Sequence, residues 1–279
     1  MLTARMFYRA AEVKIMKNIR YIVRADDLGS SNSANQAIEK VVDAGFVKNV
    51  SVMACGPYVE SAAQLLAHRR DICFGMHMTL NAEWDRVKWG PVLPPEKCVG
   101  LVDEKGFFLS DPSLFLNTKP AVEVIMQEVS AQLERLHKLR FQISYIDSHM
   151  FPEVYVEGLD EAMAEFARQK GLLDHMYFYH SPPWKEVSSE EKMLLDVPDG
   201  QYFFGTHPSL NTEEMRMTGN ASYSGEQVAA SRAHETEILS DVDLCRRLLN
   251  AGVRGIRYSD AVYDRRLPAV YLTQGRSDA

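Results

Sequence analysis

The chain has 279 residues, 46% of them hydrophobic, enough to bury a sizeable core as one large domain or two small ones. Its formal net charge of −7 argues against nucleic acid as the main partner, because phosphate binding needs a basic surface. No run of about 18 apolar residues exists, which excludes a membrane-spanning helix, and four widely spaced cysteines with no CxxC pair read as reduced, mostly buried thiols of a cytoplasmic protein.

Residues 1–17 lack the continuous apolar stretch of a signal peptide and read as an N-terminal extension outside the fold, with Met16 as an alternative start. Strand-like runs then follow at 19–25, 50–54, 72–80, 142–147, 175–179, 201–206 and 253–258. Between them, apolar residues recur at helical spacing: Ala34, Ala37, Ile38, Val41 and Val42, then Val122, Ile125, Met126, Val129, Leu133 and Leu136. Further helices are expected near 226–239 and 241–251. Strand-then-helix repetition over about seven units implies parallel strands with right-handed crossovers, in a doubly wound sheet or a (β/α) barrel. Residues 18–265 read as one such domain and 266–279 as a C-terminal tail. The stretch 81–119 is too long for an ordinary strand–helix connection and reads as a substrate-facing insertion or lid.

The unusual polar residues fall at the ends of these strands. Asp26 and Asp27 close the first, His77 lies in the third, Asp147 and His149 follow the fourth, His207 follows the sixth and Asp260 the last. In α/β sheets and barrels these carboxyl ends share one face, where ligands bind. One carboxylate and two imidazoles, Asp27, His77 and His149, suit Zn²⁺ or a similar divalent cation. Asp26 beside them would take a proton from water, and His207 would serve a leaving group, a set suited to hydrolysis of an amide or ester. Singly, each residue has a plainer reading: an Asp pair before glycine is a common turn or helix cap, and a histidine in an apolar strand is often only packed. Their shared position is what favours chemistry.

In order, ADDLG, GMHMTL, YIDSH, THP, SRAHETEIL and AGVRGIRYSD resemble the YdjC-like carbohydrate deacetylases, which include the chitooligosaccharide deacetylases. The resemblance runs from about Ile19 to Asp260. It implies a distorted (β/α) barrel of about seven parallel strands, related to the polysaccharide deacetylases, one divalent metal ion (zinc or magnesium) and removal of an N-acetyl group from an amino sugar. Motif position makes Asp27, His77 and His149 the metal ligands, Asp26 the base and His207 a proton donor or transition-state stabiliser. Asn35 falls where the family has an asparagine that braces the site or meets substrate, and Arg232 and Glu235 match a charged pair read as structural. Trp84, Trp89 and Trp184 offer faces for a sugar ring. Were the sugar phosphorylated, Arg24, Arg254 or Arg257 would meet the phosphate. The chain departs from the family pattern after His149, where 149-HMFPE-153 lacks further histidines, and in THPSLN, where a Cys-His-Pro-Gly form is usual. These departures leave the sugar open. Rival readings are another metal-dependent barrel enzyme acting on a sugar or sugar phosphate, and a non-catalytic carbohydrate-binding relative. A homo-oligomer is neither required nor excluded.

Overall fold

In a computed structural model, residues 16–262 are described except 179 and 186–188. Residues 1–15 of the expected N-terminal extension and the expected tail at 266–279 lie outside the described residues. Seven strands follow one another: β1 (Ile19–Leu28), β2 (Asn49–Val52), β3 (Cys73–Met78), β4 (Ile143–Ser148), β5 (Leu173–Asp174), β6 (Gly200–Thr206) and β7 (Val253–Gly255). All pair in parallel, in the order β5-β4-β3-β2-β1-β6. The long β1 meets β6 along one edge; on the other it meets β7 through Ile19–Tyr21 and then β2 from Arg24 onward. Among the described residues no ladder joins β5 to β6, so this is a distorted, open (β/α) barrel.

Nine helices connect the strands among the described residues: α1 (Asn32–Ala44), α2 (Val59–Leu66), α3 (Phe115–Thr118), α4 (Val122–Lys138), α5 (Leu159–Lys170), α6 (Glu190–Leu195), α7 (Glu213–Arg216), α8 (Gly225–Ser240) and α9 (Val242–Ala251). α1 forms where the spacing predicts it. Ser31 caps its first turn by accepting from the Ala34 N–H, and Ala34, Ala37, Ile38, Val41 and Val42 face the sheet. Gly45 ends it at φ 92°, a left-handed conformation that glycine adopts without a Cβ penalty. No helix among the described residues is long and apolar enough to cross a membrane.

Strand alternation sorts side chains into two layers. From β1, Ile19, Tyr21, Val23 and Ala25 join the core between sheet and helices, whereas Ile22 points inward with Cys73, Tyr145, Phe178, Phe203, Ile256 and Tyr258. This inner cluster fills the barrel below the carboxyl ends of the strands. Its packing explains Gly75: a Cβ there would come within 2.0 Å of the Tyr145 ring, whose hydroxyl bonds Ser51 at 2.9 Å. The barrel therefore has a solid floor, and the next inward positions above it, Arg24 and Asp26 on β1, His77 on β3 and Asp147 on β4, are polar.

Two strands are shorter than their apolar runs. Of the expected run 175–179, residues 175–178 are not a strand (179 lies outside the described residues): β5 ends at Asp174, whose carboxylate accepts from the Met176 N–H and turns the chain into a 3₁₀ turn at His175–Phe178. β7 stops at Gly255, where the Phe46 carbonyl approaches too closely for any side chain, and Asn49 then accepts the Tyr258 N–H and leads the chain across the barrel floor. The stretch 81–119 is ordered around α4: Glu128, wholly buried, accepts the N–H groups of Val92 and Leu93, and Gln132 bonds both backbone groups of Thr79.

Candidate metal centre

β1 departs from regular strand geometry where its two carboxylates sit. Asp27 has φ 67°, a left-handed conformation uncommon outside glycine, and the register with β2 slips between Ala25 and Leu28. In an unbroken strand, neighbours would point to opposite faces. Here both Asp26 and Asp27 are buried and reach the same group of side chains, each lying with His77 in a potential ligand cluster. Ser30 N–H donates to the Asp27 carbonyl, and Asn35 fixes the turn that follows.

Asp27 Oδ1, His77 Nε2 and His149 Nδ1 form a triangle with edges of 3.5, 3.5 and 3.2 Å. Ligands about 2.0–2.1 Å from a tetrahedral zinc ion would lie about 3.3 Å apart. Asp27 Oδ1 is a buried oxygen that makes no hydrogen bond of ordinary geometry and faces only the two imidazole nitrogens at 3.5 Å, a place that a cation would satisfy. The other polar atom of each ligand is held. Arg232 Nη1 lies 2.9 Å from Asp27 Oδ2, Asp147 Oδ2 lies 2.8 Å from His77 Nδ1, and Glu83 Oε2 lies 3.0 Å from His149 Nε2. Such partners set which ring nitrogen is free to ligate. The donor set and its geometry thus fit one divalent metal ion.

Charge supports the same fit. Asp26, Asp27, Asp147 and Glu83 are opposed by Arg24 and Arg232, so four carboxylates against two guanidinium groups leave two negative charges when both imidazoles are neutral. Without a cation, protons take its place. Burial disfavours a charged His77, but Asp147 and Asp27 outweigh that and raise its pKa to about 9. Burial likewise opposes charge on His149, and Glu83 with Asp27 raises it to about 10. Burial alone would push Asp27 up, yet Arg232 and the two histidines hold it well below the usual carboxylate range. Asp147 is held low against its own burial by Arg24 and His77.

Asp26 lies beside the triangle in a two-point fork with Arg24, Nε to Oδ1 at 2.6 Å and Nη2 to Oδ2 at 2.7 Å. Arg24 also reaches Asp147 at 2.9 Å, which ties the Asp26 side of the site to the partner of His77. A pocket of about 220 Å³ opens over Asp27 and Arg232, with Trp84, Trp89 and Met215 in its walls. A second cavity, of about 330 Å³, shares Trp84 and Arg232 and contains His207, whose N–H donates to Glu235 at 2.5 Å.

Trp84 and Trp89 therefore come to the site, carried by the 81–119 insertion, and Trp89 sets its ring edge-on to His149. Asn35 does not face substrate space. Wholly buried, it spends its amide on Gly29, Tyr58 and Ser61 and so ties the turn after β1 to the start of α2. Arg257 is at the other end of the barrel, paired with Asp260 near Asp71 and the start of β3, because the chain after β7 crosses the floor. Asp260 goes with it. Arg254 sits opposite Arg20 on the amino-terminal half of β1, and Arg24 is committed to Asp26 and Asp147, so none of the three arginines is placed for a sugar phosphate. Trp184 packs on Phe204 outside the barrel. Arg232 and Glu235 are not each other's partners: one holds Asp27, the other the His207 backbone. Glu83 is the residue that sequence reasoning missed outright. It sits in a stretch without periodicity, and only the fold brings it to His149.

The sequence profile of the YdjC-like protein family matches residues 20–192, and the chain belongs to that family. A carbohydrate deacetylase of Thermoanaerobacter pseudethanolicus is 30% identical over 151 residues, covering 54% of this chain and 57% of that protein. One of Vibrio cholerae serotype O1 is 31% identical over 131 residues, covering 47% of this chain and 48% of its own. The chain thus spans about half the length of the curated relatives it matches. A crystal structure of an Enterococcus faecalis protein, provisionally described as a cellobiose-phosphate cleavage protein, superposes with a TM-score of 0.69 at 20% identity, covering 87% of this chain and 98% of that one, and establishes the shared fold. Residues 193 onward, His207 and Arg232 among them, follow the stretch that the family profile matches.

Proposed function

We propose that this chain is a metal-dependent hydrolase that removes the N-acetyl group from an amino sugar or a short N-acetylated oligosaccharide. The observation that carries the reading is the triangle of Asp27, His77 and His149, each with its second polar atom engaged, below a pocket of about 220 Å³. The substrate class comes from the family and from the carbohydrate deacetylases that the chain resembles over about half their length. A divalent ion held by the triangle would supply the Lewis acid that polarises an amide carbonyl and lets water attack near neutral pH. Asp26 is the base. Arg24 takes one lone pair on each of its oxygens and leaves another on each to receive the proton. His207, across the Trp84–Arg232 wall, gives a proton to the departing amine or steadies the charge that develops beside it. Trp84 and Trp89 offer apolar walls for pyranose C–H groups. The four free thiols suit a reducing, cytoplasmic location.

The test is acetate release from a panel of N-acetylated amino sugars, single and oligomeric, with metal-stripped protein and with Zn²⁺, Mg²⁺, Mn²⁺ or Co²⁺ restored, beside Asp27→Ala. Metal-restored release that the variant lacks is the expected result. No release from any sugar by protein shown to hold metal would move the assignment to another reaction.

A further inference from the structure

Asp27 has two carboxylate oxygens and they are not equivalent. Oδ1 makes no hydrogen bond of ordinary geometry and faces both imidazoles at 3.5 Å, whereas Oδ2 is held by Arg232 Nη1 at 2.9 Å. Arg232 reaches it from α8, with its own carbonyl fixed by the Thr236 hydroxyl at 2.8 Å and by the Ser209 N–H. Its guanidinium lies 5.8 Å from the centre of the Trp84 ring, and its side chain is only 12% exposed. The arginine is thus packed beside Trp84 and tied at its backbone, which favours its staying on Oδ2. A carboxylate can ligate a divalent ion through one oxygen or through both, and the second mode uses up a coordination position. A hydrolytic site must keep positions free for water and for the carbonyl.

We propose that Arg232 is a positioning residue that restricts Asp27 to ligation through Oδ1 and thereby keeps coordination positions open on the side of the two cavities. The inference rests on the metal-centre reading and not on the identity of the sugar. Arg232 lines both cavities, so the same side chain that reserves Oδ2 also borders the space into which those open positions face.

The experiment uses Co²⁺, whose visible absorption is strong in four-coordinate sites and weak in higher coordination, on metal-stripped wild type, Arg232→Gln, Arg232→Ala and Arg232→Lys. Wild type is expected to bind one equivalent with strong absorption. The Gln and Ala variants should bind Co²⁺ no more weakly, since a positive charge has been removed and a second oxygen freed, yet lose most of the visible intensity. Arg232→Lys, which keeps a cationic donor, should recover it. A merely structural arginine would lower thermal stability and affinity and leave the spectrum alone. Stoichiometric Co²⁺ binding with wild-type spectra in Gln and Ala would overturn the proposal. If both variants fail to fold, the infrared carboxylate bands of wild type with and without metal, assigned by ¹³C-labelled aspartate, decide: a wide splitting between the antisymmetric and symmetric stretches reports ligation of Asp27 through one oxygen and supports it, and the narrow splitting of a chelating carboxylate overturns it. Failure of wild type to bind any of these ions would refute the metal centre itself, a result separate from an unchanged spectrum.

Discussion

Metal binding at this site should expel protons, and the amount follows from the charges around it. In the metal-free protein His77 titrates at about 9 and His149 at about 10, both raised because neighbouring carboxylates outweigh the burial that opposes their charge. A cation can use their nitrogens only after those protons leave. At pH 7.5 the two shifts together lower apparent affinity by roughly four orders of magnitude against the fully deprotonated site, at tenfold for each pH unit and each proton. Repulsion between two charged rings whose facing nitrogens are 3.2 Å apart takes back part of this, so the pair titrates as a unit. The expected release at pH 7.5 is between one and two protons per ion. Apparent affinity should climb by between tenfold and a hundredfold per pH unit up to about pH 9, more slowly to about pH 10, and then level. Calorimetric titration with Zn²⁺ in buffers of different ionisation enthalpy reads the number directly. Two histidines of ordinary pKa, near 6.5, would together release only about 0.2 of a proton at this pH. A value that low, or affinity that does not change between pH 7 and 9, would refute the charge assignment.

The same two shifts set the pH dependence of the metal-free fold. Because both folded-state values lie above the unfolded value of about 6.5, their stabilisation is fully present below that pH and is lost as pH rises through about 9 and 10. The melting temperature of stripped protein should therefore fall across pH 7–10, more than that of metal-loaded protein, when followed by circular dichroism. At pH 10 or above, where proton competition for His149 is small, Glu83→Gln should weaken metal affinity about 10- to 100-fold by loosening His149 Nε2, measured by competition with a chelating dye, and undiminished affinity there would remove Glu83 from the site. Asp26→Asn should keep metal and lose most of the rate of acetate release, and wild-type turnover would show that the base is elsewhere. Gly75→Ala should destabilise the fold by about 1–3 kcal/mol or more in urea unfolding, because the new methyl meets the Tyr145 ring under the site.

What the sequence shows and what it hides divide along a physical line. Parallel strands and their helices are legible because each carries its own periodic pattern, as α1 does in Ala34, Ala37, Ile38, Val41 and Val42. The proposed ligands are legible as candidates because strand ends concentrate chemistry, so Asp27, His77 and His149 stand out against apolar runs. The run 175–179 misleads because aromatic composition is common to strands and to packed turns, and Asp174 decides between them by one hydrogen bond. Charged residues mislead more. Arg24 and Arg257 look alike in sequence, two basic residues beside strands, yet one is wholly engaged under the metal site and the other is surface-paired at the far end of the barrel.

The partners of the ligands are the least legible part, and the reason is general. A ligand needs a particular atom at a particular place, which restricts it to strand ends. Its partner needs only to reach the ligand's other atom, from any direction that the fold leaves free. Asp147 does so from β4, the strand next to His77, Arg232 from a helix near the end of the chain, and Glu83 from an irregular insertion. The three come from unrelated sequence contexts and share no motif, but each engages the polar atom that its ligand turns away from the triangle. That common geometry puts the 81–119 insertion within the candidate metal centre, through Glu83 and Trp89 at His149, and not only over it. Glu83 orients His149, Trp89 packs beside the same ring and Trp84 supports Arg232. Deletion of the insertion should consequently cost metal affinity as well as substrate affinity, whereas a detachable lid would cost only the second.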